Sequence, residues 1–63
     1  MTIGAKLKRL REEKGVSIEK MAKTLGLTNQ AIYNYENNVR VPRDEIKIQI
    51  ANYFNKSVEE IFF

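Results

Sequence analysis

Between Ser17 and Asn37 the chain places start and stop signals so close together that only two short helices joined by a tight turn will fit. Ser17 is a good helix N-cap, because its side-chain oxygen can accept a bond from a free first-turn amide, and Glu19 follows where the helix dipole favours a carboxylate. Gly26 can adopt the left-handed conformation that ends a helix, and two residues later Thr28 is again an N-cap candidate. The turn therefore has three or four residues. At ~100° per residue, Ile18, Met21, Ala22 and Leu25 share about 100° of arc, while Glu19, Lys20, Lys23 and Thr24 take the other side. This predicts a packing helix, and Ala22, the smallest residue of its apolar stripe, lets the next helix cross at short distance.

The rest of the chain reads as three more helices. The first runs from roughly Thr2, a possible cap, to Lys14, with Ile3, Leu7 and Leu10 on one stripe and Gly15 as its stop. Pro42 forbids a helix through Val39-Arg40-Val41-Pro42-Arg43, which predicts an exposed loop carrying two arginines. The stretch Ile46-Lys47-Ile48-Gln49-Ile50 alternates like a strand, but its apolar set continues through Ala51 and Phe54, and a lone strand is not stable, so a helix from about Asp44 to Phe54 is expected. Ser57-Val58-Glu59-Glu60 is a capping box opening the last helix. The expectation is an all-α, five-helix fold forming one domain over residues 1–63, since a chain this short cannot divide into two cores.

Cysteine and histidine are both absent. That removes disulfides, thiolate nucleophiles, imidazole bases and the usual zinc ligand sets, and it leaves only scattered carboxylates and lysines for acid–base work. No enzyme, cofactor, metal or small-molecule ligand is expected. Apolar runs are short, as at Ile61-Phe62-Phe63, and the first fifteen residues carry a cation every few positions, so neither a signal peptide nor a membrane span is expected and the reading is cytoplasmic. Residues 1–43 hold nine Lys/Arg against four Asp/Glu, giving +5, and residues 44–63 hold two against four, giving −2. One part of the surface suits a polyanion.

The third helix shows which part. With Asn29 at zero, Ala31, Ile32 and Tyr35 fall near 200–300°, whereas Asn29, Gln30, Tyr33, Asn34 and Asn37 span about 0–140°. Three asparagines among the nine residues 29–37 sacrifice helicity, because Glu, Lys and Arg are better helix formers on a solvent face. An Asn or Gln amide offers one donor and one acceptor that match the N6 and N7 edge of adenine, and the start of a helix in the major groove of double-stranded DNA brings such residues to base edges. Asn29, Gln30, Asn34 and Tyr33 are the expected base contacts. Ser17, Thr28, Lys20, Arg40 and Arg43 are expected at phosphates, with Lys6, Lys8, Arg9 and Lys23 as further available cations.

Over almost its full length the chain resembles the phage repressor and Cro type of helix-turn-helix, the XRE family. The matching marks are Ile3-Gly4, Leu10-Arg11, Lys14-Gly15, Met21-Ala22, Leu25-Gly26, Ile32, Tyr35-Glu36-Asn37, Pro42, Ile50-Ala51 and Ser57 to Ile61. The resemblance implies a five-helix lambda-repressor-like domain with its helix-turn-helix at about residues 17–37, docked as phage repressors are, with the second of those two helices in the major groove. It also implies base-reading positions at Asn29, Gln30 and Asn34, a phosphate contact at Asn37, and a structural ion pair between Arg11 and Glu36. Asn38 stands where relatives often carry Gly, and Asn shares access to left-handed conformations. Ile18 stands where Gln is common, and Asp44 and Lys47 where apolar residues are.

The function expected is a sequence-specific transcriptional regulator, a repressor on a palindromic operator. It would act as a homodimer, joined through surplus apolar surface at Tyr53, Ile61, Phe62 and Phe63. The alternative is a protein-interaction or antitoxin-like module of the same fold. An acidic third helix would favour that alternative, and Asn29, Gln30 and Asn34 supply no acid.

Overall fold

The computed structural model describes all 63 residues and consists of five helices: α1 (Ile3–Lys14), α2 (Ile18–Leu25), α3 (Asn29–Glu36), α4 (Asp44–Tyr53) and α5 (Val58–Phe62). Four begin at the expected hydroxyl caps. Thr2, Ser17, Thr28 and Ser57 accept bonds from the amides of Ala5, Lys20, Ala31 and Glu60 at 3.1, 3.0, 3.1 and 3.1 Å. α4 starts after Arg43 with no side-chain cap; Asp44 and Glu45 in its first turn place negative charge at the positive end of the helix dipole instead.

One backbone pattern ends α1 to α4. In each, a residue with positive φ follows the helix, and the next amide bonds back to a carbonyl five residues earlier: Val16 to Arg11 at 3.3 Å, Leu27 to Ala22 at 2.8 Å, Val39 to Asn34 at 2.9 Å and Lys56 to Ala51 at 2.9 Å. This is the Schellman motif, and its left-handed residue is Gly15, Gly26, Asn38 or Asn55, with φ of 75°, 70°, 61° and 58°. Turn chemistry thus sets the direction in which the chain leaves each of these helices within a few residues of the stop.

Packing fixes the rest. The core draws Leu7 from α1, Met21 and Ala22 from α2, Ile32 and Tyr35 from α3, Ile46, Ile50 and Ala51 from α4, and Ile61 and Phe62 from α5. α1 and α2 both pack on α3, α5 closes against α1 and α4, and α2 meets α4. The alternating stretch of α4 resolves as helical periodicity, since Ile46 and Ile50, one turn apart, are buried while Ile48 is 54% exposed. Truncating a fully enclosed residue such as Ile50 to Ala should cost roughly 2–5 kcal/mol.

The C-terminal segment departs from the expected interface. Ile61 and Phe62 are 1% and 6% exposed, so they belong to the chain's own core and cannot offer a contact surface. The physical reason is that α5 lies down across α1 and α4 rather than fraying from them. Tyr53 is half-buried, with its ring edge-on to Phe54 at 5.1 Å and the Lys14 ammonium 5.0 Å from its centroid. Of the four residues expected there, only Phe63, at 83%, projects outward. It shares a hollow with Asp44, Lys47, Ile48 and Val58, whereas Tyr53 lines a different one with Thr24, Leu25, Gln49 and Asn52, so the four residues do not form one patch. No helix is long and apolar enough to cross a membrane.

Candidate nucleic-acid interface

α3 is bolted to α1 from behind. Arg11 Nε donates to Glu36 Oε2 at 2.6 Å and its NH2 to Oε1 at 3.2 Å, a two-pronged contact of the kind that fixes orientation as well as distance. A third donor, NH1, reaches the Val16 carbonyl at 2.9 Å and ties the α1–α2 connection into the same cluster. These bonds hold the Arg11 guanidinium above its ordinary pKa, with the Glu36 hydrogen bond the main cause and partial burial opposing it. Gly4 lies flush against the end of α3: a Cβ there would collide with the Glu36 carbonyl and come within 2.7 Å of the Tyr35 oxygen.

The opposite face of α3 is open. Asn29, Gln30, Tyr33 and Asn37 are exposed and Asn34 is half-buried. Glu36 is the only acid of the helix and is turned inward, so no carboxylate remains on this face to repel a phosphate backbone. Gln30 Nε2 donates to Asn34 Oδ1 at 2.9 Å, which pre-orders two of the expected base contacts and leaves the Gln30 carbonyl and the Asn34 amide hydrogens unbonded as an acceptor and donors. Asn37 uses one amide hydrogen on the Tyr33 carbonyl at 2.8 Å and keeps its carbonyl free.

Hydroxyls and cations lie on the segments before and after the helix. Ser17 and Thr28 accept bonds as N-caps, yet each hydroxyl keeps a proton to donate to an anion. Lys20 borders a polar hollow with Ser17, Glu19, Lys23 and Thr24. Arg40 and Arg43 are exposed, take part in none of the ion pairs, and rim a second hollow with Leu27, Tyr35, Val41 and Ile46. Between them Pro42 is buried and pins the loop.

Two cations of α1 are diverted elsewhere. Lys6 donates to the Glu60 carbonyl of α5 at 2.9 Å, and Arg9 pairs with Glu13 at 3.1 Å.

A profile described as "Helix-turn-helix" matches residues 7–61, from the middle of α1 to α5. The chain belongs to the XRE-type helix-turn-helix family. Relatives include an HTH-type transcriptional regulatory protein of Thermococcus gammatolerans, 32% identical over 90% of this chain and 18% of its own length. A second, from Methanocaldococcus jannaschii, is 33% identical over 82% of this chain and 16% of its length. The HTH-type transcriptional regulator ImmR of Bacillus subtilis is 29% identical over 94% of this chain and 46% of its length. The chain thus spans less than half of each of these three proteins.

The helix-turn-helix proper is α2, the turn through Gly26 and Leu27, and α3. One residue beside it does more than its identity suggests. Asn38 occupies the left-handed position after α3, but its Oδ1 also accepts from the Gly4 amide at 3.0 Å and its Nδ2 donates to Thr2 Oγ1 at 3.0 Å. Nothing local signals these bonds, because the partners lie 34 and 36 residues away.

Proposed function

We propose that this helix-turn-helix chain is a sequence-specific DNA-binding domain of a transcriptional regulator, a repressor that docks α3 in the major groove. The observation that carries the reading is the acid-free amide face of α3, in which Asn29 and Gln30 are exposed and Asn34 half-buried while Glu36 is turned in to Arg11. Base edges would be read by Asn29, Gln30, Tyr33 and Asn34, with phosphates held by Ser17, Lys20, Thr28, Asn37, Arg40 and Arg43. The names of its relatives, all HTH-type regulators, support the same assignment.

The operator is an inverted repeat bound by a symmetric pair of chains, because one recognition helix reaches only one half-site and two must stand about 34–36 Å apart. The pairing surface is the exposed Phe63 with its neighbours Ile48 and Val58. Its position fits the charge map, since residues 44–63 carry two cations against four acids and suit a side turned away from phosphate.

Selection of bound duplexes from a random pool tests the whole reading. Enrichment of a recurrent inverted repeat is the expected result. Failure to enrich any sequence would instead assign the chain to protein interaction.

A further inference from the structure

Asn38 and Asn55 occupy the same backbone position at the ends of two helices, and they differ in one respect. Both hold a left-handed φ, 61° and 58°, and both are followed by an amide that closes a Schellman motif, Val39 to Asn34 and Lys56 to Ala51. The side chain of Asn55 makes no hydrogen bond, so its position asks only for a residue that tolerates positive φ. Asn38 spends both ends of its amide on the start of α1, accepting from Gly4 N and donating to Thr2 Oγ1, while the same Thr2 oxygen accepts from Ala5 N.

The consequence lies in the loop that follows. Val39 and Arg40 both direct their amides to the Asn34 carbonyl at 2.9 and 3.3 Å, so the loop leaves α3 in a direction set at Asn38. Arg40 comes two residues and Arg43 five residues after Asn38, and both are exposed and free of ion pairs. Their aim at a phosphate therefore depends on how firmly the loop root is held. The Arg11–Glu36 pair holds the last residue of α3 to α1; beyond it, only Asn38 connects the root of the loop by side-chain bonds to a second helix, and it does so beside the Gly4 contact, where α1 and α3 touch backbone to backbone.

We propose that Asn38 is a positioning residue for DNA binding: its amide clamps the root of the α3–α4 loop to the N-terminus of α1 and thereby aims Arg40 and Arg43 at the phosphate backbone. This rests on the DNA-binding reading above. Preorganised cations bind a polyanion more tightly than mobile ones because less side-chain and loop freedom is surrendered on binding.

The test uses Asn38→Gly, which keeps the left-handed backbone and removes only the amide, with Asn55→Gly as the matched change at the unclamped position. Affinity for a mixed-sequence duplex of about two helical turns is measured over a salt series, together with thermal melting of each protein. Asn38→Gly should remain folded at the binding temperature, bind about tenfold more weakly, and show a salt slope shallower by about 1 for each phosphate that is no longer engaged. Asn55→Gly should match wild type in affinity and slope. In a background already carrying Arg40→Ala and Arg43→Ala, adding Asn38→Gly should cause no further weakening, because the residues it positions are gone.

Wild-type affinity and slope in folded Asn38→Gly would overturn the proposal, as would a full additional weakening in the double-arginine background, which would make the clamp merely structural. If the wild-type chain failed to bind the duplex at low salt, the DNA-binding reading itself would fall, and this role with it.

Discussion

Glu36 is the most enclosed charged side chain of the molecule, 3% exposed, and Arg11, at 11%, meets both of its oxygens. A carboxylate in that position has given up its water and depends on its partner, so removing either residue leaves a buried charge alone. Arg11→Ala and Glu36→Ala should each lower stability by about 3–5 kcal/mol. The double variant should be destabilised clearly less than the two single effects combined, and thermal or urea melts of the three proteins would measure the difference. Strict additivity would show that the pair is uncoupled.

Gly4 makes a separate demand on the same junction. A methyl group there meets the carbonyl of Glu36, which belongs to a helix backbone and cannot rotate aside. Gly4→Ala should therefore destabilise by about 1–3 kcal/mol despite the higher helix propensity of Ala, through overpacking. Gly15 has nothing near an added Cβ and its cost is conformational, so Gly15→Asn should be much milder than Gly15→Ala. Equal melting of Gly4→Ala and wild type would show that α1 can shift away from α3 freely.

Much of this arrangement can be read from local residues, and its limits follow from sequence distance. Thr2, Ser17, Thr28 and Ser57 announce helix starts because a cap bonds three residues ahead, within its own segment. Gly15 and Gly26 announce stops for the same reason, and the amide face of α3 emerges from helical periodicity alone. The Arg11–Glu36 pair spans 25 residues and is visible in the sequence only through family resemblance. The Asn38 clamp spans still more and leaves no mark in the sequence, although the left-handed backbone beneath it does. Ile61 and Phe62 fall in the core rather than at the expected interface, because a terminal apolar run looks the same whether it meets a second copy or folds back on α1 and α4.

The capping box of α5 makes stability depend on acid. The Ser57 amide donates to Glu60 Oε1 at 2.9 Å, and the Ser57 hydroxyl accepts from the Glu60 amide. The Ser57 backbone bond, aided by its side chain, holds the Glu60 carboxyl below its ordinary value of 4.5. A depressed folded pKa contributes stability that is complete above that ordinary value and fades as pH falls through the lower folded value. Melting of wild type and Glu60→Gln should therefore differ near neutral pH and converge on acidification below about pH 4. Parallel curves down to the lowest pH would remove the box as their cause.

Pairing should reside at Phe63 and Ile48. Because Phe62 is core, a variant altering it would unfold the chain rather than test an interface; Phe63→Ser with Ile48→Ser changes exposed residues only. Sedimentation with an inverted-repeat duplex should show two wild-type chains bound cooperatively, and the variant should bind half-sites singly while melting like wild type. Cooperative pairing that survives in the variant would place the interface elsewhere.

The most direct measurement is the binding of Asn29→Ala, Gln30→Ala and Asn34→Ala to the selected duplex and to its single base-pair variants. Each substitution should cost about 1–3 kcal/mol on the preferred sequence and flatten discrimination at one base pair, leaving the others unchanged. Unaltered affinity in all three, or a weakening of equal size on every duplex including unrelated ones, would contradict base reading by α3.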